Sequence, residues 1–258
     1  MSVPQSRPWY SIERAAADVA DVSIFDEISP WGVTAADFVA ELASVTAPVV
    51  NLHLNTPGGI CDDGIAIYNA IKSHPAEFRA FIPGICASIG TVIAMAADRI
   101  AIAPHARMMI HEAWGGVMGS AEDFAKAAIR YDAMSQNIAS VYAERAGGDV
   151  EEWRDRMKAE SWYTDQEAVA VGLADEVARV AADPQARRAA ALFNLSAFAH
   201  GDREAALLRR ELADDGVHAC VCGQDGCPLS APEPPAAPAN HHVHEREALE
   251  AALAAVVL

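Results

Sequence analysis

The sequence predicts an α/β domain built on a mostly parallel sheet, because short apolar strand segments alternate with amphipathic helices. Residues 22–25 and 49–54 are rich in β-branched and aliphatic residues and end at turn formers, as buried strands do. Between them Thr34 and Asp37 form a capping box, and apolar residues follow at helical spacing. The first unit is therefore strand–helix–strand, which implies a right-handed crossover.

The same alternation continues along the chain. Residues 62–73 predict a helix that ends before Pro75, and residues 78–82 predict the next strand. A further helix is expected over residues 88–97, and a strand over residues 99–102. Repeated strand–helix units of this kind place the strands side by side in one sheet.

The pattern changes after residue 110. Residues 113–119 are glycine-rich and carry no helix signal, whereas Ser120 and Asp123 open a long helix that runs to Ala146 and ends at a glycine pair. A helix of that length spans roughly 37 Å, more than the width of a small α/β core. Part of it should project, and its apolar stripe predicts self-association.

Composition limits the classes of protein that the chain can belong to. Its 258 residues fit one domain of about 200 residues plus an appendage, and we place the boundary near residue 198. Residues 199–258 include a Pro- and Ala-rich linker composition. A net charge of −17 argues against nucleic acid or an anionic membrane as partner. No apolar run has the length of a membrane span and the first residues do not read as a signal peptide, so we expect a cytoplasmic protein.

Metal-ligand residue types occur in the appendage. Cys220, Cys222 and Cys227 lie near several histidines, but their spacing matches no standard zinc module. We therefore predict no metal and no cofactor.

Three residues in chain order have the chemistry of a serine peptidase. Ser88 lies among small residues at a helix entry, His111 follows the strand-like residues 108–110, and Glu160 precedes another short apolar segment. A serine hydroxyl needs a base to remove its proton, and that base needs a third group to orient it. Taken singly, Ser88 is more typical of a helix N-cap, and His111 is more typical of a strand-end histidine with a structural hydrogen bond.

A fourth motif supports the same chemistry. Residues 55–59, Asn-Thr-Pro-Gly-Gly, follow a buried strand, and paired glycines allow backbone N–H groups to face a cleft. An oxyanion hole requires such donors. The four signals together predict a serine peptidase.

The stretch from residue 22 to residue 177 resembles the proteolytic subunit of the Clp protease, ClpP, a family of self-compartmentalised serine peptidases. The resemblance lies in five motifs, at residues 55–59, 84–90, 109–111, 115–119 and 167–175. It implies a ClpP/crotonase-type α/β fold, no cofactor and cleavage of peptide or protein substrates. It also implies a homo-oligomer, a heptameric ring or stacked rings, in which the long helix is an interlocking handle.

The resemblance also assigns roles to individual residues. Ser88 would be the nucleophile, His111 the general base and Glu160 the orienting acid. The N–H groups of Gly59 and Ile89 would form the oxyanion hole. Substrate would bind to Gly58, Gly115, Gly116 and Val117, and the glycine-rich segment would pair with an extended peptide by strand addition.

This chain departs from the family pattern in three places. The acid is usually aspartate, so Asp155 and Asp165 are alternatives to Glu160. Ala159 stands where members often carry an arginine tied to ring assembly. The first residues are more similar to the ClpP-type proteases of phage head-assembly modules, which implies capsid-maturation substrates and a location in the host cytoplasm.

Other functions remain open at this point. A serine–lysine peptidase would need a lysine near the serine, and Lys72, Lys126 and Lys158 are not well placed for it. A crotonase-like acyl-CoA enzyme would need neither Ser88 nor His111. An inactive ClpP-like structural or scaffold-binding subunit would result if Glu160 were misplaced.

Overall fold

The strands and helices form a two-sheet α/β arrangement in a computed structural model, which describes residues 8–16, 18–29, 33–179, 195 and 198–200. The strands are β1 Tyr10–Ala16, β2 Val19–Phe25, β3 Val49–Asn55, β4 Glu77–Ile82, β5 Ile85–Ala87, β6 Arg99–Ile102, β7 Arg107–Ile110, β8 Ser161–Thr164 and β9 Glu176–Val177. The helices are α1 Ala35–Leu42, α2 Cys61–Ser73, α3 Ile89–Ala94, α4 Ala121–Ala146, α5 Val150–Lys158 and α6 Asp165–Ala170.

The main sheet has the strand order β1-β2-β3-β4-β6-β9. Only β1 is antiparallel to its neighbour, and the other pairs are parallel, so the predicted mostly parallel sheet is confirmed. Alternate side chains of each strand enter the core, for example Val22 and Ile24 of β2 and Leu52 and Leu54 of β3, all fully buried.

A second, three-stranded sheet has the order β5-β7-β8. Strand β5 is parallel to β7, and β8 runs antiparallel to β7. The backbone of Thr56, just beyond β3, is hydrogen-bonded to both Ile85 and Ala87 of β5 (3.0 Å each). The end of β3 is thereby fixed beside the start of the second sheet.

The long helix α4 confirms the prediction for residues 121–146. Its capping box between Ser120 and Asp123 is present, and it ends at Gly147, whose φ of 80° suits a glycine. Toward its N-terminus Phe124 and Ile129 are 54% and 72% exposed, whereas the later turns pack into the core. Part of the helix therefore presents apolar side chains to solvent, and self-association stays a prediction.

Other elements differ from the sequence prediction. Strand β1 was not predicted, although Trp9 and Tyr10 pack their rings on Phe38 of α1. The helix expected to reach residue 97 ends at Ala94, with turns following it. None of the helices in the described ranges is both long and apolar enough to cross a membrane. The predicted appendage lies outside the described residues except for residues 199 and 200, and so do its cysteines.

Candidate active site

Two neighbouring parallel strands bring Ser88 and His111 together. Ser88 follows β5 and His111 follows β7, and the register pairs Ala87 with Met109. Carboxyl ends of adjacent parallel strands lie at one edge of a sheet, so residues that follow them meet there. The imidazole Nε2 of His111 lies 2.7 Å from Oγ of Ser88, within hydrogen-bond distance.

The third predicted residue reaches the same edge from the antiparallel strand β8. Ser161 pairs with Ile110, so Glu160, one residue earlier, lies beside His111 in the register. The pairing of β7 with β8 therefore brings together two residues that are 49 positions apart in the sequence. The sheet brings all three predicted residues to one place.

The backbone at Ser88 is held in an unusual conformation. Its φ is 55°, a left-handed value that side-chain-bearing residues rarely adopt, and its N–H donates to the carbonyl of Met109 at 2.8 Å. Ser88 precedes α3, but its hydroxyl makes no capping hydrogen bond. Ser88 thus occupies the N-cap position of α3, but its hydroxyl lies against His111 and does not cap the helix.

A buried hydrogen-bond chain connects the nucleophile to the long helix. The hydroxyl of Thr91 donates to the carbonyl of Ser88 at 2.6 Å, and it lies 2.6 Å from the hydroxyl of Tyr142 on α4. Because the Thr91 proton is committed to Ser88, Tyr142 is the donor to Thr91. Helix α4 thus supports the turn that carries Ser88.

Replacing Tyr142 with phenylalanine removes one buried donor from this chain. We expect the free energy of unfolding in urea to fall by about 1 kcal/mol, the usual net value of a buried neutral hydrogen bond. Tyr68→Phe is the control, since the Tyr68 hydroxyl has no hydrogen-bond partner among the described residues. Equal losses in the two variants would contradict the role given to the Tyr142 hydroxyl.

His111 is held in its neutral form by its surroundings. Burial lowers its pKa from the ordinary value of 6.5, and this effect outweighs the nearby carboxylates of Glu160 and Glu112, which act to raise it. A neutral imidazole is the form that can accept the proton of Ser88. The direction of the pKa shift therefore suits a general base.

The pH dependence of Ser88 reactivity follows from that shift. Only neutral His111 serves as base, so reactivity falls as pH drops through its pKa, and a lowered pKa moves this fall to more acidic pH. We expect the rate of phosphonylation of Ser88 to be constant above about pH 6.5 and to fall only below it. The charges that face the imidazole are Glu160 and Glu112, the latter paired with Arg154. A midpoint above about pH 7 would contradict the buried neutral base.

The Glu160 carboxylate binds groups other than the imidazole. It accepts hydrogen bonds from the indole N–H of Trp162 at 3.2 Å and from the backbone N–H groups of Ala199 at 2.6 Å and His200 at 2.8 Å. No hydrogen bond joins it to His111 within the described part of the chain. The strand register nevertheless places Glu160 beside His111, where its negative charge acts to raise the pKa of the imidazole.

The alternative acids are engaged elsewhere. Asp155 pairs with Lys158 on the exposed side of α5 at 3.2 Å, and Asp165 accepts from the backbone N–H of His105 at 3.3 Å. Neither contributes to the electrostatics of His111, whereas Glu160 does. Glu160 is therefore the better candidate for the orienting acid.

The predicted glycine motif lies directly against Ser88. A Cβ built on Gly58 would be 2.7 Å from Cβ of Ser88, and one built on Gly59 would collide with the backbone of Ile28, so both positions need glycine. Their φ values of 104° and 143° are also ones that residues with a side chain rarely adopt. The N–H groups of Gly59 and Ile89 donate to no other residue in the described ranges, so they are free to bind an oxyanion.

A cleft of about 550 Å³ opens in front of the Ser88–His111 pair. Its walls include Gly58, Trp114, Cys61 and Phe198. Burial raises the pKa of the Cys61 thiol, which opposes formation of a thiolate there. The volume is typical of small-molecule and peptide side-chain sites.

The glycine-rich segment borders this cleft without forming regular structure. Residues 113–119 belong to no strand, and Gly115 and Gly116 are exposed. A Cβ on Gly115 would collide with the hydroxyl of Tyr131, whereas one on Gly116 would meet nothing within 4 Å. The segment enters the cleft edge at Ala113, whose N–H donates to Ser135 of α4 at 3.0 Å.

An ionic cluster behind the site was not predicted from the sequence. Arg154, only 7% exposed, donates to the carboxylate of Glu112 at 2.6 Å and to Asp132 and Gln136 of α4 at 2.8 and 3.0 Å. Because Glu112 directly follows His111, this cluster holds the backbone next to His111 against α4 and α5. An arginine on the apolar face of α5 was the available signal, but its partners are distant in sequence.

Comparison with known proteins identifies the family of the chain. The Clp protease family profile matches residues 5–181. The chain is 34% identical over 138 residues to the ATP-dependent Clp protease proteolytic subunit 2 of Corynebacterium glutamicum, covering 52% of this chain and 68% of that protein. It is 34% identical over 131 residues to proteolytic subunit 1 of Corynebacterium jeikeium, covering 50% and 69%, respectively. A subunit 2 from Mycolicibacterium paratuberculosis is 32% identical over 131 residues, covering 50% and 65%.

The fold and site therefore define a protein of the protease class with a ClpP/crotonase-type α/β fold. The chain belongs to the Clp protease family. It spans about two thirds of the length of the relatives that it matches. The predicted fold class and family are thus confirmed, whereas the phage head-assembly subtype stays a prediction.

Proposed function

We propose that this chain is a self-assembling serine endopeptidase of the ClpP type, whose peptidase chemistry itself uses no ATP. The observation that carries this proposal is the 2.7 Å contact between Ser88 Oγ and His111 Nε2 at the wall of an open cleft. A serine hydroxyl paired with a neutral, buried imidazole is the minimal arrangement for acyl transfer.

The reaction follows from the positions of these groups. Ser88 Oγ attacks the scissile carbonyl while His111 takes the hydroxyl proton, and the N–H groups of Gly59 and Ile89 stabilise the oxyanion. His111 then gives that proton to the leaving amine, which leaves an acyl group on Ser88. Water, deprotonated by the same imidazole, hydrolyses this ester and restores the serine. Glu160 orients His111 once its carboxylate turns to the imidazole Nδ1.

Peptide substrates would bind in extended form beside the glycine-rich segment. Gly58, Gly115, Gly116 and Val117 are proposed to offer backbone groups to the substrate, as strand addition requires. This assignment is supported by the exposed backbone at residues 115–116, which pairs with no strand among the residues that the structure describes.

Assembly into a homo-oligomeric ring is proposed from the exposed apolar side chains of α4. Phe124 and Ile129 are largely exposed in the single chain, and a second copy would cover them. The relatives are themselves named as proteolytic subunits. A role in capsid maturation in a host cytoplasm stays a prediction, since these relatives are bacterial Clp subunits.

The rival functions have less support. A serine–lysine peptidase is disfavoured because Lys72, Lys126 and Lys158 all have exposed side chains on helix surfaces. A crotonase-like acyl-CoA enzyme gives no reason for a hydrogen bond between Ser88 and His111. A catalytically weak subunit is favoured by one observation, the engagement of Glu160 with Ala199 and His200.

Covalent labelling with a fluorophosphonate, followed by peptide mapping, tests the proposal. We expect a single label on Ser88 in the wild type, none in Ser88→Ala, and full labelling in the control Ser44→Ala, a serine on the exposed surface. Label on another residue, or equal labelling of wild type and Ser88→Ala, would reject the assignment.

A further inference from the structure

Residues 198–200, here termed the cleft segment, lie against the catalytic groups. The Phe198 ring centroid is 5.2 Å from that of His111 and 6.2 Å from that of Trp162, in edge-to-face contacts. Phe198 also lines the cleft in front of Ser88. A side chain from a distant part of the chain therefore occupies space next to the nucleophile and its base.

The backbone of the cleft segment is held by the predicted triad acid. Both carboxylate oxygens of Glu160 accept from it, one from the N–H of Ala199 at 2.6 Å and the other from the N–H of His200 at 2.8 Å. Hydrogen bonds from backbone N–H groups to a carboxylate are charge-assisted and short, as observed. With the indole N–H of Trp162, the Glu160 carboxylate accepts three hydrogen bonds and makes none to His111, so in this arrangement it does not orient the imidazole.

A further anchor precedes the segment. Leu195 is 2% exposed and packs with Ile85, Ala87 and Met109, the strand residues that flank Ser88. Trp162 and Phe198 pack on the same cluster. The segment turns at residues 198–200, where the N–H of Phe198 donates to the carbonyl of Leu195 at 3.0 Å. Apolar contacts and the two backbone hydrogen bonds to Glu160 hold this turn against the site.

From these contacts we propose that the surface formed by Glu160, Trp162 and His111 is a peptide-binding site, occupied here by the chain's own cleft segment. The bound segment holds Glu160 away from His111 and narrows the cleft, so the protein is in a low-activity state until the segment leaves. This inference rests on the proposed peptidase function, because it assigns a regulation to the same site.

Two substitutions in the full-length protein weaken the segment in different ways. Phe198→Ala removes the ring from His111, and Ala199→Pro removes an N–H that Glu160 accepts, since proline has none. Ala199→Ser is the matched control, because it keeps the N–H. We expect the rate of fluorophosphonate labelling of Ser88 to rise about tenfold or more in the first two variants and to change less than about twofold in the control.

Hydrogen exchange provides a readout that does not depend on activity. The amides of Ala199 and His200 should exchange more slowly than free peptide amides in the wild type, and lose that protection in Phe198→Ala. Unprotected amides in the wild type would overturn the proposal. The proposal would also be overturned if Ser88 in Phe198→Ala and Ala199→Pro were labelled no faster than in the wild type, with both variants unfolding at the wild-type temperature.

Failure of this inference is distinguishable from failure of the proposed function. If Ser88 is labelled at the same rate in the wild type and in all variants, the cleft segment does not restrict the site, and the serine peptidase assignment still holds. Absence of label on Ser88 in every variant, including those with the segment released, overturns both.

Discussion

Replacing His111 with glutamine is expected to lower kcat/KM for peptide hydrolysis by about 10³-fold or more. Glutamine retains a polar side chain of similar size but cannot take the Ser88 proton, and His111 Nε2 is the group within reach of that proton, at 2.7 Å. The measurement is steady-state hydrolysis of a fluorogenic peptide.

The control variant His53→Gln shows whether the loss of activity is specific to His111 or follows from replacing any histidine. His53 lies on β3 of the main sheet, away from the Ser88–His111 pair, with its Nε2 3.9 Å from Oδ1 of Asp21. His53→Gln should therefore leave kcat/KM within about twofold of the wild-type value. The double variant Ser88→Ala, His111→Gln should be no less active than Ser88→Ala alone, since the two residues act as a unit. Additive losses would contradict a joint role.

Replacing Gly58 with alanine is expected to lower kcat/KM by about 100-fold while the protein stays folded. The new Cβ would lie 2.7 Å from Cβ and 3.2 Å from Oγ of Ser88, so the nucleophile must shift. A displacement on the order of 1 Å at a reacting group is sufficient for a loss of that size. Circular dichroism and thermal unfolding monitor the fold in parallel.

The control for Gly58→Ala has to carry the same backbone strain. Gly147→Ala does so, because Gly147 has a φ of 80° and its added Cβ would meet nothing within 4 Å. We expect it to lower the unfolding temperature but to keep kcat/KM near the wild-type value. A comparable loss of activity in both variants would attribute the Gly58 effect to strain rather than to displacement of Ser88.

The sequence was informative wherever local signals determine structure. The capping box at Ser120 predicted the start of α4, and its apolar stripe predicted a buried face together with an exposed end. The chemistry of Ser88 and His111 in their motifs predicted that the two residues meet, and in the structure the parallel pairing of β5 and β7 brings them to one sheet edge.

Long-range contacts could not be predicted in the same way. Strand β5 has three residues, too few for a periodic signal, and β8 joins it only through β7. Arg154 forms its cluster with residues 18 to 42 positions away. Phe198 and Ala199 follow no motif, and their contacts with His111 and Glu160 depend on tertiary structure alone.

The location of the acyl group during turnover shows whether Ser88 is the nucleophile. The protein is mixed with an activated peptide ester, quenched in acid and mapped by mass spectrometry. We expect an acyl group on Ser88 in the wild type and none in Ser88→Ala. An acyl group on Cys61, which lines the same cleft, or undiminished turnover by Ser88→Ala, would contradict it.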